Sequence, residues 1–305
     1  MQIVNKPTIW SDIKKNRAIY LFVLPGVLFY IIFRYLPLYG VLIAFKDFRI
    51  TRGILGSDWA GLKYFIQLFG TPDFLNVVLN TLLISIYKIV FSFPVPIIVA
   101  ILLNEIKNKR FNNFTQSVIY MPYLISWVII GGIVFNLLSI DGVVNSIRQA
   151  FGLQPVMFLG EVDLFRPIVV ITDIWKNTGW SSIIYLATLT KISPDLYEAA
   201  TIDGANWLQK TFRITIPGLS EVILVLFIIS IGSLLYAGFD QVLVLYNPVV
   251  YDKGDILDTF IYRLGITKAR FSYAAAAGLF QSVIAAVLIF SADTVSKKVS
   301  NKGLI

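Results

Sequence analysis

The chain has 305 residues, 57% of them hydrophobic and only 14% charged, against about 45–50% and about 25% in ordinary soluble domains, so this much apolar surface needs lipid around it. It contains no histidine and no cysteine, which excludes disulfide frameworks, thiolate zinc sites, serine–histidine catalysis and histidine-based intramembrane metalloproteases together. The net charge of +8 is scattered between apolar runs and not clustered on one polar face, which suits anionic lipid headgroups and cytoplasmic loops and speaks against nucleic acid.

Spans need roughly 20 mostly apolar residues. Six stretches qualify: 18–45, 75–103, 115–138, 167–190, 218–246 and 273–292. They follow a cytoplasmic N-terminal segment, 1–17, and with their loops make one membrane domain, 18–305. The first resembles a signal peptide, since Lys14, Lys15 and Arg17 precede an apolar run. No small-x-small cleavage site follows and the run continues past Arg34 to Phe45, so it is expected to be retained. An even number of spans puts both termini on one side. With the N-terminus inside, thirteen lysines and arginines fall on inner segments and ten on outer ones, the inner ones densest at the two ends and in the 104–114 loop. That bias predicts cytoplasmic termini. The outer segments 46–74 and 139–166 suit short interfacial helices or ordinary connecting loops. Pro94 and Pro96 are expected to kink or interrupt the second span, because each removes a backbone donor.

Between the fourth and fifth spans lies KISPDLYEAATIDGANWLQKTFRITIPG, where the local signals agree. Ser193 can cap a helix, Pro194 suits its first position, and Asp195 places negative charge near its N-terminus. The helix is expected to run through Ala200, stop at the Asp203-Gly204 turn and resume from about Asn206 to Thr215, ahead of Pro217. A solvated loop with two turns is the plainer reading. Against it, Ala199, Ala200, Gly204 and Ala205 allow close backbone approach, and Leu196, Tyr197, Trp207 and Phe212 offer apolar anchors.

The run Glu198-Ala199-Ala200, with Gly204 six residues after the glutamate and the ending Ile214-x-Ile216-Pro217, resembles the EAA signature of permease subunits in binding-protein-dependent ABC importers. Asn80-Thr81-Leu82, Met121-Pro122, Ile174-Trp175-Lys176 and Phe239-Asp240 resemble the carbohydrate-importer branch. Tyr262-Arg263-Leu264-Gly265 and Phe271-Ser272-Tyr273-Ala274 resemble its polysaccharide or oligosaccharide members, while Asn247-Pro248 departs from the Gly-Gly-Pro turn of many sugar permeases. The resemblance implies an all-α membrane protein of six transmembrane helices, the type I ABC importer permease fold. A cytoplasmic coupling helix within 193–217, between helices 4 and 5, would dock on an ATPase subunit. Glu198, Ala199, Ala200, Asp203, Gly204, Ala205, Trp207, Phe212 and Pro217 are its implied coupling residues. Glu198 is expected in an ion pair with the ATPase, Gly204 at the turn, and Trp207 or Phe212 packed behind the docking helix.

The implied partners are a second homologous permease in a heterodimer, two ATPase subunits, an extracellular solute-binding protein and the lipids of a bacterial plasma membrane. Because G-x-x-x-x-G-K-[ST] appears nowhere, the chain is expected to be a passive subunit and not an enzyme, with no cofactor or metal of its own. ATP and Mg are then bound by the partner ATPase.

Ionisable residues inside spans are rare and often functional. In the fourth span Asp173, Lys176, Asn177 and Trp180 recur at three- and four-residue spacing, which puts a polar and aromatic stripe on one face. Such a face suits a sugar, whose hydroxyls need hydrogen bonds and whose C–H faces lie against aromatic planes. The resemblance adds Ser230, Ser233 and Tyr236 of the fifth span to this substrate path. Alternatively, Asp173 and Lys176 pair with each other and hold helices together, the structural reading also given to Lys88. Two other functions compete: an ion-coupled secondary transporter or channel subunit using Asp173 and Asp240, and a membrane enzyme on lipid-linked glycans, which here lacks a clustered carboxylate pair.

Overall fold

The computed structural model describes residues 14–300, with the backbone alone for 295, 296 and 298–300. The predicted segment 1–17 is therefore covered only from Lys14, and Lys6 and Lys302, used for the orientation, lie outside the described residues. The first span starts as α1, Arg17–Tyr30, and continues through a widened turn, Ile31–Tyr35, and a tightened one, Leu36–Phe45. A small antiparallel hairpin follows, β1 (Lys46–Asp47) paired with β2 (Asp58–Trp59), and then the short helix α2, Lys63–Phe69. The sequence offered helix or loop for this segment; the hairpin was not expected. The second span is α3, Pro72–Tyr87, a widened turn, Lys88–Ser92, and α4, Pro94–Asn104.

The predicted third span is not one helix. It is α5, Lys109–Leu124, and α6, Trp127–Leu138, separated at Ile125 and Ser126, where Ser126 caps the new helix by accepting from the Ile129 amide. After α7, Val143–Ala150, the predicted fourth span is a single 28-residue helix, α8, Val162–Leu189. Beyond it come α9, Pro194–Ile202, and α10, Trp207–Lys210, then a widened turn, Thr211–Thr215, leading into α11, Ile216–Gly232. The predicted continuous stretch 218–246 is likewise corrected. It breaks after Gly232 and resumes as α12, Phe239–Leu245. The chain then forms α13, Leu257–Tyr262, and the long α14, Phe271–Ser300.

Three of the widened turns share one cause. Pro37, Pro94 and Pro217 have no N–H to give to the carbonyl four residues back, and in each case the residue just before the proline reaches five residues back instead. Leu36 donates to Ile31, Phe93 to Lys88 and Ile216 to Thr211. The proline signal read from the second span thus resolves into a local widening that keeps the helix running.

Among the described residues five helical stretches are long and apolar enough to cross a membrane: Arg17–Phe45, Pro72–Asn104, Trp127–Ala150, Trp207–Gly232 and Phe271–Thr294. The remaining predicted span, α8, is long enough, at about 42 Å by the helical rise, but too polar to count with them. It packs against α4, α5 and α11 instead, burying Phe165, Val169, Thr172, Lys176, Ser182 and Tyr185. The first span shows the opposite pattern, with no residue of its apolar window buried within the chain.

A substrate cavity and an exposed docking segment

The second span, α8 and α11 enclose a cavity of about 390 Å³. α8 supplies Asp173, Asn177 and Trp180 to its wall, and α11 with the break after it supplies Ser230, Ser233 and Tyr236. Six of the seven path residues proposed from the sequence therefore meet at one place. The seventh, Lys176, does not. Asp173, Asn177, Trp180 and Ile184 follow one face of a 3.6-residue helix, and Lys176 falls beside it, toward α5.

Lys176 is buried there, at 7% exposure, and donates to the carbonyls of Pro122 (3.3 Å), Tyr123 (3.0 Å) and Ile125. They lie at the break in the third span, where the Ile125 amide turns back to the Pro122 carbonyl and the lysine supplies a donor to the Tyr123 and Ile125 carbonyls. The ammonium also lies 5.6 Å from the Tyr123 ring centroid and 5.4 Å from that of Trp127. Tyr123 in turn stacks on Trp180, with centroids 4.7 Å apart and planes 3° from parallel. Pairing of Asp173 with Lys176 is thus corrected: the lysine goes to the broken helix end. Asp173 accepts instead from Lys88 Nζ at 3.1 Å and from Asn177 Nδ2 at 3.0 Å.

Lys88 and Gln241 are the residues that the sequence reading left out. Lys88 opens the widened turn forced by Pro94, and donates to the Ala237 carbonyl (2.9 Å) and Gln241 Oε1 (2.6 Å) as well as to Asp173. Gln241, buried at the start of α12, donates onward to the Val169 carbonyl (2.6 Å) and Thr172 Oγ1 (2.8 Å) of α8. Gly238 makes this possible. Its φ is +100°, and a Cβ there would lie 2.9 Å from Lys88 Nζ, so any side chain would push the lysine off its partners. Proximity to Pro94 was the available signal for Lys88. Asp240, by contrast, is exposed at the start of α12 and outside the cavity lining.

The segment 193–217 has the predicted local form. Ser193 accepts from the Asp195 amide, Pro194 opens α9, and Gly204, at φ +77°, turns the chain while the Ala205 amide closes on the Ala200 carbonyl at 2.8 Å. Asn206 and Gln209 then cap α10 reciprocally. Trp207 and Phe212 do not pack behind α9; they are 44% and 64% exposed. Tyr197 holds α9 to the start of the fifth span instead, through its hydroxyl 3.0 Å from Thr215 Oγ1, and Lys210 donates to Thr201 Oγ1 at 2.7 Å. Glu198, Ala199, Asp203 and Pro217 are exposed, Ala200 and Ala205 partly so, and Glu198 has no ion pair among the described residues. Ile202, at 87% exposure, adds to an apolar surface facing away from the bundle.

Residues 92–301 match the family described as the binding-protein-dependent transport system inner membrane component. The chain belongs to that family. Protein LplB of Bacillus subtilis is 41% identical over 295 residues, covering 96% of this chain and 93% of that protein. The polygalacturonan/rhamnogalacturonan transport system permease protein YteP of the same organism is 40% identical over 291 residues, with 95% and 91% covered. Among solved structures, a chain of a bacterial ABC transporter involved in the import of the acidic polysaccharide alginate superposes with a TM-score of 0.89 at 38% identity, covering 96% of this chain and 99% of that one. A chain of the bacterial alginate ABC transporter in complex with an alginate pentasaccharide-bound periplasmic protein gives the same TM-score and identity, over 97% and 99%. The permease is thus an all-α, multi-pass membrane protein with the type I importer fold, and it is not an enzyme. Membership in this family gives no support to an ion-coupled carrier.

Proposed function

We propose that this permease forms half of the translocation pathway of an ATP-driven importer, for a sugar or oligosaccharide delivered by an extracellular solute-binding protein. Connectivity is the observation that carries this. The 193–217 segment joins the end of α8 to the start of α11, and those two helices carry two walls of the cavity. A rigid displacement of α9 therefore moves both walls together. The sugar cargo is supported by the polar and aromatic lining and by the polysaccharide cargoes for which relatives are named.

In this reading the chain has six spans, with α8 the fourth, both termini are cytoplasmic, and a second homologous permease completes the pathway. Two ATPase subunits bind ATP and Mg and receive α9. Glu198 offers the charge for an ion pair there, Ala199, Ala200 and Ala205 allow close approach, and Asp203 and Gly204 make the turn. Ile202, Trp207 and Phe212 bring apolar contact, and Pro217 fixes the entry to the fifth span.

Gly204 supplies the test. Space around its missing Cβ is open within the chain, so a side chain there meets only the positive φ and whatever docks from outside. In the assembled transporter, Gly204→Ala should cost about 1 kcal/mol of local strain and leave most uptake. Gly204→Trp should insert into the membrane normally yet lower binding-protein-stimulated ATPase activity and uptake by about tenfold or more. Equal behaviour of the tryptophan variant and the wild type in both assays would remove the docking role.

A further inference from the structure

Among the described residues four buried side-chain polar atoms have no hydrogen-bond partner, and three of them, Ser85 Oγ, Ser92 Oγ and Thr178 Oγ1, belong to residues lining the cavity. Ser85 is 5% exposed and Thr178 8%. Buried hydroxyls are seldom left in this state, because desolvation without a partner costs free energy. All three residues line one cavity, and a hydroxyl held by no partner is free to turn toward a ligand with its own donors and acceptors. Ser85 and Ser92 lie seven residues apart on the second span with Lys88 between them, so this span contributes a polar edge that the fourth and fifth alone do not account for.

The charges of the cavity are balanced internally. Lys88 and Asp173 are its lysine and its carboxylate, and they are paired at 3.1 Å. The three N–H donors of an ammonium are used by Asp173, the Ala237 carbonyl and Gln241. Both bonds to the Asp173 carboxylate fall on Oδ1, which leaves Oδ2 to accept from a ligand hydroxyl. Among the lining residues of this chain a carboxylate on the cargo would find no spare cation. To bind Lys88 it would have to displace Asp173 and leave that charge uncompensated at membrane depth, which is costly.

We infer that the cavity takes an uncharged, hydroxyl-rich glycosyl unit, with Ser85, Ser92 and Asp173 as contact residues and the Lys88–Asp173 pair as the device that selects against uronates. This rests on the sugar-import reading above. It also sets the permease apart from both relatives named for uronate-containing cargo, YteP and the alginate transporter.

The test uses the complete transporter in nanodiscs without binding protein, so that receptor selectivity plays no part. Arabinotetraose is the uncharged probe and tetragalacturonate the acidic one, and occupancy is read from the fluorescence component that Trp180→Phe abolishes. The wild type should bind arabinotetraose about tenfold more tightly or better, equivalent to ~1.4 kcal/mol. Ser85→Ala and Ser92→Ala should each weaken arabinotetraose binding by about threefold. Asp173→Asn, which leaves Lys88 unbalanced, should bring tetragalacturonate level with arabinotetraose or ahead of it. The double variant Lys88→Gln, Asp173→Asn is uncharged again and should restore the neutral preference, which separates charge balance from misfolding. Wild-type binding of tetragalacturonate as tight as that of arabinotetraose would overturn the inference while leaving sugar import standing, as would serine variants indistinguishable from wild type. If neither sugar bound, the sugar reading would fail and this inference with it.

Discussion

Asp173 and Lys176 are three residues apart on α8 and serve different ends, one in the cavity wall and one at the break between α5 and α6. Replacing Lys176 by methionine leaves the Tyr123 and Ile125 carbonyls without their donor, the Pro122 carbonyl keeping the Ile125 amide, while also removing a buried charge. The net expectation is a loss of about 2–3 kcal/mol in stability, read as a lowered unfolding midpoint of the solubilised complex, with sugar affinity of the folded fraction unchanged. Asn177→Ala should do the reverse, weakening sugar binding with little change in midpoint. If Lys176→Met altered affinity and spared stability, its removal from the path would be wrong. The helical stripe made Asp173, Asn177 and Trp180 legible from spacing alone. The same spacing puts Lys176 on that stripe, because spacing gives a face only to within about a turn, whereas its destination is set by a helix end on another span. Lys88 reads as structural from sequence for a similar reason: nothing local says that a lysine near Pro94 will meet Asp173 and residues 149 and 153 positions away.

Caps and turns are local, and the 193–217 segment followed its sequence closely for that reason. Asn206 and Gln209 satisfy each other's orphan amides, so Asn206→Ala should cost about 1 kcal/mol of helix stability. The expected signature is faster hydrogen exchange across 206–215 and less uptake per ATP hydrolysed, with α9 unaffected. Faster exchange confined to α9 would place the rigidity elsewhere. The interruptions at Ile125 and Ser126 and between α11 and α12 were not legible, because hydropathy is indifferent to whether an apolar run is one helix or two. Signals were there in Pro122, in Ser126 as a cap and in Gly238, but each is common in unbroken membrane helices too. What separates the cases is whether a neighbouring side chain can take the freed carbonyls, as Lys176 does at the first break and Lys88 at Ala237.

At the end of the bundle where α8 begins, polar contacts fasten the chain together. Asp47 accepts from Lys63 at 2.8 Å and from the Tyr64 hydroxyl at 2.5 Å, and these hydrogen bonds, the lysine's first, hold its carboxyl below the usual range. A depressed acid stabilises the fold above its unfolded value, and this contribution fades as the pH falls through the lower folded value. Protection of the β1–β2 hairpin from hydrogen exchange should therefore hold from neutrality down to about pH 4 and fall below it. Loss of protection already near pH 6 would exclude Asp47 as the cause. The polarity of α8 matters at an earlier stage of the molecule's life. A lysine or aspartate at the centre of a helix opposes its insertion by about 2.5–3.5 kcal/mol, and α8 carries both Asp173 and Lys176. On leaving the ribosome it should insert less readily than the more apolar spans. Its insertion should depend on Lys88 and the carbonyls of Tyr123 and Ile125, both synthesised before it, which receive those charges in the folded chain. Order of synthesis thereby becomes order of assembly, and a chain that misplaces its second or third span should stall with its fourth outside the membrane.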